Sequence, residues 1–360
     1  MKNYLLVTAV ILLFCYLFAN IAISKTVKNN EKVIFLPTYG KIQNNNIYTE
    51  VHMWIFQPEE NSITRNIITS SIIKLFLDDE EFKNSEIFDQ RLKAFMVDNE
   101  RNKKLTVIIN GNEYMLNPSK PDGHSITKIT VPFKPGNSGK KSIEIKLKTM
   151  DKSERDFSNY ITLENPDGIS VISDIDDTIK ISNVLNKKEL IKNTFIRPFQ
   201  AVNKMPEFYS QLYKNNISFH YVSGSPWQLY ESISGFMKNT GFPEGSFYLK
   251  KFRIKDKSFI DFLIADQKEY KVTIIKAIIK DFPEKKFILI GDSGEMDAEI
   301  YSELYKLFPE NIKAVFIRNT GNLDDEKDRF ENIQKQFSNI TFSFFSDGND
   351  LIKLKDTILK

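Results

Sequence analysis

Cysteine is all but missing from this chain. Cys15 is the single one among 360 residues, which excludes an intramolecular disulfide and any metal site built on clustered thiolates. Histidine is nearly as scarce. His52, His124 and His220 stand in unrelated contexts without metal-ligand spacing, and His220, inside the strand-like "ISFHYVS", reads as structural. No charge sign dominates either: 50 Lys and Arg against 47 Asp and Glu leave +3. With no dense basic stripe, nucleic acid is not an expected partner. Internal repeats and low-complexity tracts are absent too. At 41% hydrophobic and 27% charged, the chain is ordinary globular material, long enough for two cores. Any chemistry falls to carboxylates.

One long apolar run is present, and it is N-terminal. Lys2 precedes "YLLVTAVILLFCYLFANIAIS", residues 4–24, and the chain then turns polar with "KTVKNNEK". Two readings stay open. Small residues at Ala22 and Ser24 suit an export signal cleaved after Ser24. The run also has the ~20 apolar residues that a membrane-spanning helix needs, so residues 4–24 suit an uncleaved anchor. Both readings export the body to the cell envelope or beyond, with Lys2 keeping the N-terminus inside.

Residues 30–165 read mostly as strands. "NIYTEVHMWIF", "KLTVIIN", "HSITKITVPF" and "KSIEIKLKT" alternate apolar and polar, and Asn110-Gly111 is a hairpin signal. Between them "SIIKLFLDDEEFKNSEIFDQRLKAFM" is more helical or irregular. A β-sandwich-like domain with a helical insertion is expected. It holds no catalytic constellation.

"NPDG" at 165–168 is a strong turn, and the pattern changes after it. Solid apolar runs now alternate with amphipathic ones; in residues 271–282, Val272, Ile275, Ile278, Ile279 and Phe282 keep one face apolar. This predicts an α/β region over 168–360, a doubly wound and mainly parallel Rossmann-like sheet. Such sheets bind ligands at the carboxyl ends of their strands.

Four stretches fall at those ends. "GISVISDIDDT" puts Asp174, Asp176 and Asp177 where a buried strand stops, and carboxylates so close need a cation among them. Beside a divalent ion, one can attack phosphorus while another moves the proton. Asp177 is expected to support the loop by hydrogen bonding. "FHYVSGSPWQ" offers the Ser223 hydroxyl to a phosphate oxygen; Ser225, Pro226 and Gln228 read as the cap of the following helix, an anion site. Lys271 opens an amphipathic helix, its ammonium placed to neutralise phosphate and nucleophile together. "FILIGDSGEMD" supplies Asp292 and Asp297, oxygen ligands suited to a hard cation.

Together these stretches resemble the haloacid dehalogenase-like phosphohydrolases, and within them the actin-patch-associated phosphatidate phosphatase family. The phrases "VISDIDDTIK", "NTFIRPF", "SGSPWQLYESISGFMKNTGFPEG" and "FILIGDSGEMDAEIYSELYKLFP" carry the resemblance, over roughly residues 168 to 320. It implies a Mg²⁺-dependent phosphatase whose substrate is phosphatidate or another phosphate ester, met at a membrane surface. By position, Asp174 matches the nucleophile and Asp176 the general acid/base, which also lends its backbone carbonyl to the metal. Thr178 matches the loop-stabilising position and Ser223 the phosphate-binding hydroxyl. Lys271 matches the phosphate-neutralising lysine, Asp292 the metal ligand and Asp297 its acidic support. Two positions depart from the family: Gly224, in the phosphate-binding loop, stands where Asn is frequent, and Tyr270 where His is frequent. Two alternatives remain: a phosphatase for a soluble ester or phosphoprotein, and a phospholipid-headgroup-binding module without chemistry. Retention of Asp174, Asp176, Lys271 and Asp292 favours catalysis. The short segment 181–205 is too small for a large cap, and Phe195 and Phe199 are candidates to line the approach.

Overall fold

A computed structural model describes residues 27–58, 81, 85–148, 155–252, 267–321, 327–337 and 339–359. The export or anchor segment, and half of the expected helical insertion, lie outside them. Among the described residues no helix is long and apolar enough to cross a membrane.

The alternating stretches of the first half form β1 (Lys32–Leu36), β2 (Thr38–Gln43), β3 (Asn46–Pro58), β4 (Val97–Asn99), β5 (Thr106–Ile109), β6 (Asn112–Met115), β7 (His124–Pro132), β8 (Ser142–Leu147) and β9 (Ser158–Glu164), with helix α1 (Glu86–Lys93) between β3 and β4. All nine join one hydrogen-bonded network. Its described pairs are antiparallel except β2 with β9, so the sheet is mixed. The β5–β6 hairpin turns at Asn110-Gly111, both at positive φ (51° and 79°), as a tight two-residue turn requires. Val33, Ile47, Val51, Val107 and Ile145 form the core of this half.

After the turn the strands are β10 (Ile169–Ser173), β11 (Ser218–Pro226), β12 (Ser246–Lys250), β13 (Lys286–Asp292), β14 (Ile312–Arg318) and β15 (Thr341–Phe345). Every described pairing among them is parallel. Their spatial order is β12-β11-β10-β13-β14-β15. The connecting helices are α2 (Lys187–Ile191), α3 (Met205–Lys214), α4 (Tyr230–Thr240), α5 (Lys268–Asp281), α6 (Asp297–Leu307), α7 (Lys327–Gln336) and α8 (Gly348–Leu359).

Strand residues alternate between two cores. Val171, Phe219 and Ile290 pack with Phe208 of α3, Ile233 of α4 and Leu351 of α8. Ile172, Val222 and Leu289 pack with Ile275 of α5, Leu304 of α6 and Ile333 of α7. Helices therefore cover both faces. The chain enters at β10 in the middle of the sheet, winds outward to β12, then crosses back to β13. The strand order reverses between β10 and β13, and there the crevice opens.

The two halves share packing. Leu36, Phe88 and Leu92 from the first half enter the α3/α4 core, and Tyr39 Oη donates 2.6 Å to Asp281 at the end of α5. Phe195 is fully buried in that core and does not line an approach. Phe199 is half-buried, with the Arg91 guanidinium 3.6 Å from its ring centroid. His220 is fully buried and bonds Ser246 Oγ through Nδ1 at 2.8 Å.

Candidate active site

β10 and β13 lie side by side, and their register sets Asp174 beside Asp292. Ser173 pairs with Ile290, and the Asp174 amide donates to the Ile290 carbonyl at 2.9 Å. Beyond Asp292 the chain turns into α6, whose first residue is Asp297. The Asp292 amide donates to Asp297 Oδ2 at 3.2 Å, fixing that carboxylate under the strand end.

Ligand oxygens of Asp174, Asp292, Glu295 and Asp297 lie within 4.8 Å of one another. Among the described residues one cation faces them. Lys271, in the first turn of α5 and 1% exposed, sets Nζ 2.9 Å from Asp174 Oδ1, 2.8 Å from Glu295 Oε2 and 2.7 Å from Asp297 Oδ1. The contact to Asp174 is ionic and lacks hydrogen-bond alignment, so Oδ1 is left without a hydrogen bond. Asp292 Oδ1 accepts from the amides of Gly294 (2.7 Å) and Glu295 (3.1 Å), while Oδ2 is buried and unpartnered.

Burial, followed by the neighbouring carboxylates, pushes Asp292 well above the usual range. Asp174 is also raised well above, by burial first, against the opposing pull of Lys271. Burial likewise raises Glu295. Lys271 moves the other way from what burial alone would do: the charges of Asp174, Asp297 and Glu295 outweigh desolvation and hold the ammonium on. If all four acids ionise, one lysine leaves three charges unbalanced.

Asp176 faces elsewhere. Its Oδ1 accepts from Ser182 Oγ (2.7 Å) and sits 2.7 Å from Lys180 Nζ. Its Oδ2 accepts from Ser223 Oγ (3.0 Å) and Ser225 Oγ (2.7 Å). Burial alone would raise this acid, but the Lys180 charge and the hydrogen bonds from Lys180, Ser182 and Ser225 outweigh it and hold the carboxyl far below the usual range. Its carboxylate is thus outside the four-acid cluster. Ser223, expected to hold phosphate, here donates to Asp176. Thr178 Oγ1 donates 3.1 Å to Asp174 Oδ2, steadying that side chain.

Asp177 supports the loop as expected. It sits at φ 53°, its Oδ1 accepting from the amides of Ser182 (2.8 Å) and Asn183 (2.9 Å) and its Oδ2 from that of Val184 (2.7 Å).

Ser225 is not a helix cap. The chain stays extended through Pro226, which pairs with Lys250 of β12, and a short 3-10 turn at Trp227–Leu229 precedes α4 without a side-chain cap. The Ser225 hydroxyl goes to Asp176 instead. Gln228, expected to complete the cap, donates to the Phe252 carbonyl at 3.3 Å. Gly224 has a reason of its own: a Cβ built there would lie 1.2 Å from Gln267 Oε1. Three participants carried no signal in the sequence. Lys180 and Ser182 read as ordinary residues after the motif, and Glu295 as a loop acid.

The arrangement defines a class: a parallel α/β region with a buried carboxylate cluster at the point where strand order reverses. Residues 169–319 match the family described as "Phosphatidate phosphatase APP1, catalytic domain". This region is therefore similar to that family. The chain is 35% identical over 193 residues to phosphatidate phosphatase APP1 of Saccharomyces cerevisiae, covering 52% of this chain and 32% of the relative. It is 31% identical over 204 residues to an uncharacterised protein of Schizosaccharomyces pombe, covering 55% and 33%. It therefore spans about a third of the length of these relatives. Superposition on the PilB minor pilin of Streptococcus sanguinis, at 9% identity over 82% of this chain and 96% of the pilin, has a TM-score of 0.27 and carries no argument.

Proposed function

We propose that the chain is a Mg²⁺-dependent phosphomonoesterase of the haloacid dehalogenase-like type, acting on phosphatidate or a related lipid phosphate. The observation that carries this reading is the pair of buried, unpartnered oxygens, Asp174 Oδ1 and Asp292 Oδ2, inside a cluster of four acids facing one ammonium. Buried polar atoms without partners are costly and rare. An all-oxygen donor set with surplus negative charge fits Mg²⁺. Asp174, Asp292, Glu295 and Asp297 would hold it, with the Asp176 backbone carbonyl as a further donor. When bound, the ion supplies positive charge to the cluster and to the substrate phosphate.

The chain's own residues then divide the reaction. An Asp174 oxygen attacks phosphorus, and the bond from phosphorus to the glycerol oxygen breaks. That oxygen leaves with a proton that Asp176 must first take up from water, since its contacts with Lys180 and the serines hold it ionised, giving diacylglycerol and a phosphoaspartate. Water attacks this intermediate and yields its proton to Asp176; the bond from phosphorus to Asp174 breaks and phosphate departs. Lys271 holds Asp174 and screens the phosphate, Ser223 donates to a phosphate oxygen, and the amides around Gly224 line the same approach. Asp176 must turn from Lys180 and its serine partners to reach the leaving oxygen.

The first 24 residues are proposed to export the body, with residues 30–165 as a separate sandwich-like domain beside the catalytic one. A phosphate-release screen of the purified chain tests the function. It compares phosphatidate in mixed micelles with sugar phosphates, nucleotides and phosphopeptides, before and after chelation. Phosphatidate is expected to lead, EDTA to abolish turnover and Mg²⁺ to restore it. A preference for a sugar phosphate would remove the lipid reading; full activity after exhaustive EDTA treatment would remove the cation.

A further inference from the structure

The loop that Asp177 organises carries an apolar side chain into solvent. Leu185 is 64% exposed, and few large hydrophobic side chains among the described residues are so exposed. It is not a loose end. Three amides just before it are captured by Asp177. Just after it, Asn186 caps α2 by accepting from the amides of Lys188 and Glu189. A leucine held outward from both sides forgoes the stabilisation that burial would bring.

Its neighbours lie on the catalytic rim. A Cβ built on Gly294, in the turn that carries Glu295, would sit 2.8 Å from Val184 Cγ2, and one built on Gly321 would sit 3.4 Å from Leu185 Cδ1. Met296, which follows Glu295, is 40% exposed. Two exposed apolar side chains thus flank the mouth of the carboxylate cluster. Lys187 and Lys188 follow one residue after Leu185, beyond Asn186, and both are exposed.

We infer that this rim is a membrane-docking surface, with Leu185 and Met296 entering the lipid interface and Lys187 and Lys188 meeting anionic headgroups. Apolar side chains that insert, with basic ones beside them, are the composition that binds such a surface. The inference rests on the proposed phosphatase activity and adds to it: the site faces the bilayer, so a lipid phosphate reaches Asp174 without leaving its leaflet.

The test compares three substrates on the full chain: phosphatidate in phosphatidylcholine vesicles, a short-chain phosphatidate kept monomeric, and p-nitrophenyl phosphate. Leu185→Glu is expected to lower the vesicle rate about tenfold, the worth of one leucine side chain in lipid, and to leave the two soluble rates unchanged. Leu185→Trp keeps or raises the vesicle rate, which separates insertion from damage to the loop. Equal losses on all three substrates, or none on vesicles, overturn the docking surface. Loss on both phosphatidates but not on p-nitrophenyl phosphate also overturns it, placing Leu185 against the acyl chain instead. If the wild-type chain turns over none of them, the phosphatase reading itself fails and this inference falls with it.

Discussion

Each half of the molecule buries a lysine completely, and the two are treated differently. In the first half Lys103 donates to both carboxylate oxygens of Glu31, with Glu100 at 3.3 Å. Lys28 Nζ lies 3.9 Å from Glu31 Oε1, so two lysines match two carboxylates there and the group is structural. In the second half Lys271 faces Asp174, Glu295 and Asp297, with Asp292 close by, and oxygens remain without partners. Burial of charge is common to both; the surplus is confined to the second. A folded chain tolerates such a surplus where a ligand of opposite charge can complete it.

Removing one acid from each site breaks the comparison most directly. Asp174→Asn should take turnover to background while the metal-free protein gains stability, because one repelling charge is gone. A rate assay paired with thermal unfolding under chelation checks both; wild-type turnover in the folded variant would sink the assignment. Asp176→Asn comes next, with a loss of roughly 10²–10⁴-fold on alkyl phosphates. The loss should be smaller for release of p-nitrophenol, which needs less help to leave. Equal losses on both esters, measured by initial rates, would deny Asp176 the proton role.

In the first half the same kind of substitution should act in the opposite sense. Glu31→Gln leaves the buried Lys103 ammonium with Glu100 as its charged partner at 3.3 Å and should cost about 1–3 kcal/mol of stability. Turnover per folded molecule should be unchanged. Denaturant unfolding measures it, and an unaltered midpoint would show that the pair is not the structural element described here.

The smallest effect concerns pH. His124 is held at about 4, down from 6.5, by burial and then by the charge of Lys251, with Asp122 pulling the other way. A histidine kept neutral contributes its stability above the unfolded value and loses it as pH falls toward the folded one. The loss between about pH 6.5 and 4 is on the order of 3 kcal/mol. His124→Gln should flatten that part of the stability profile; an unchanged acid limb would move the effect to other groups.

The parallel sheet was legible because its strands are buried on both faces and so read as unbroken apolar runs, each ending at a polar residue. The acids were legible for the same reason: Asp174 and Asp292 stand at those ends. What could not be read depends on distant partners. Lys180 and Glu295 are single charges in loops, and only the folded chain shows the carboxylates they meet. Ser225 misled because serine followed by proline and glutamine obeys a local capping rule, whereas pairing of Pro226 with β12 keeps the backbone extended. The parallel β2–β9 contact joins segments more than a hundred residues apart, beyond the reach of any alternation pattern. The edge strand β12 and the last helix, α8, gave no separate expectation either.

The order of strands also decides when, during synthesis, the site comes into being. Asp174 emerges on the first strand of its sheet, but its neighbour Asp292 arrives only on the fourth, and Asp297 after that. A ribosome that has made β10 to β12 has produced a carboxylate with nothing to share a cation. The cluster closes when β13 slots in against β10, a long-range pairing that chains make slowly. The proposed divalent ion would then find its four-acid site only on the completed domain, which it would favour by mass action.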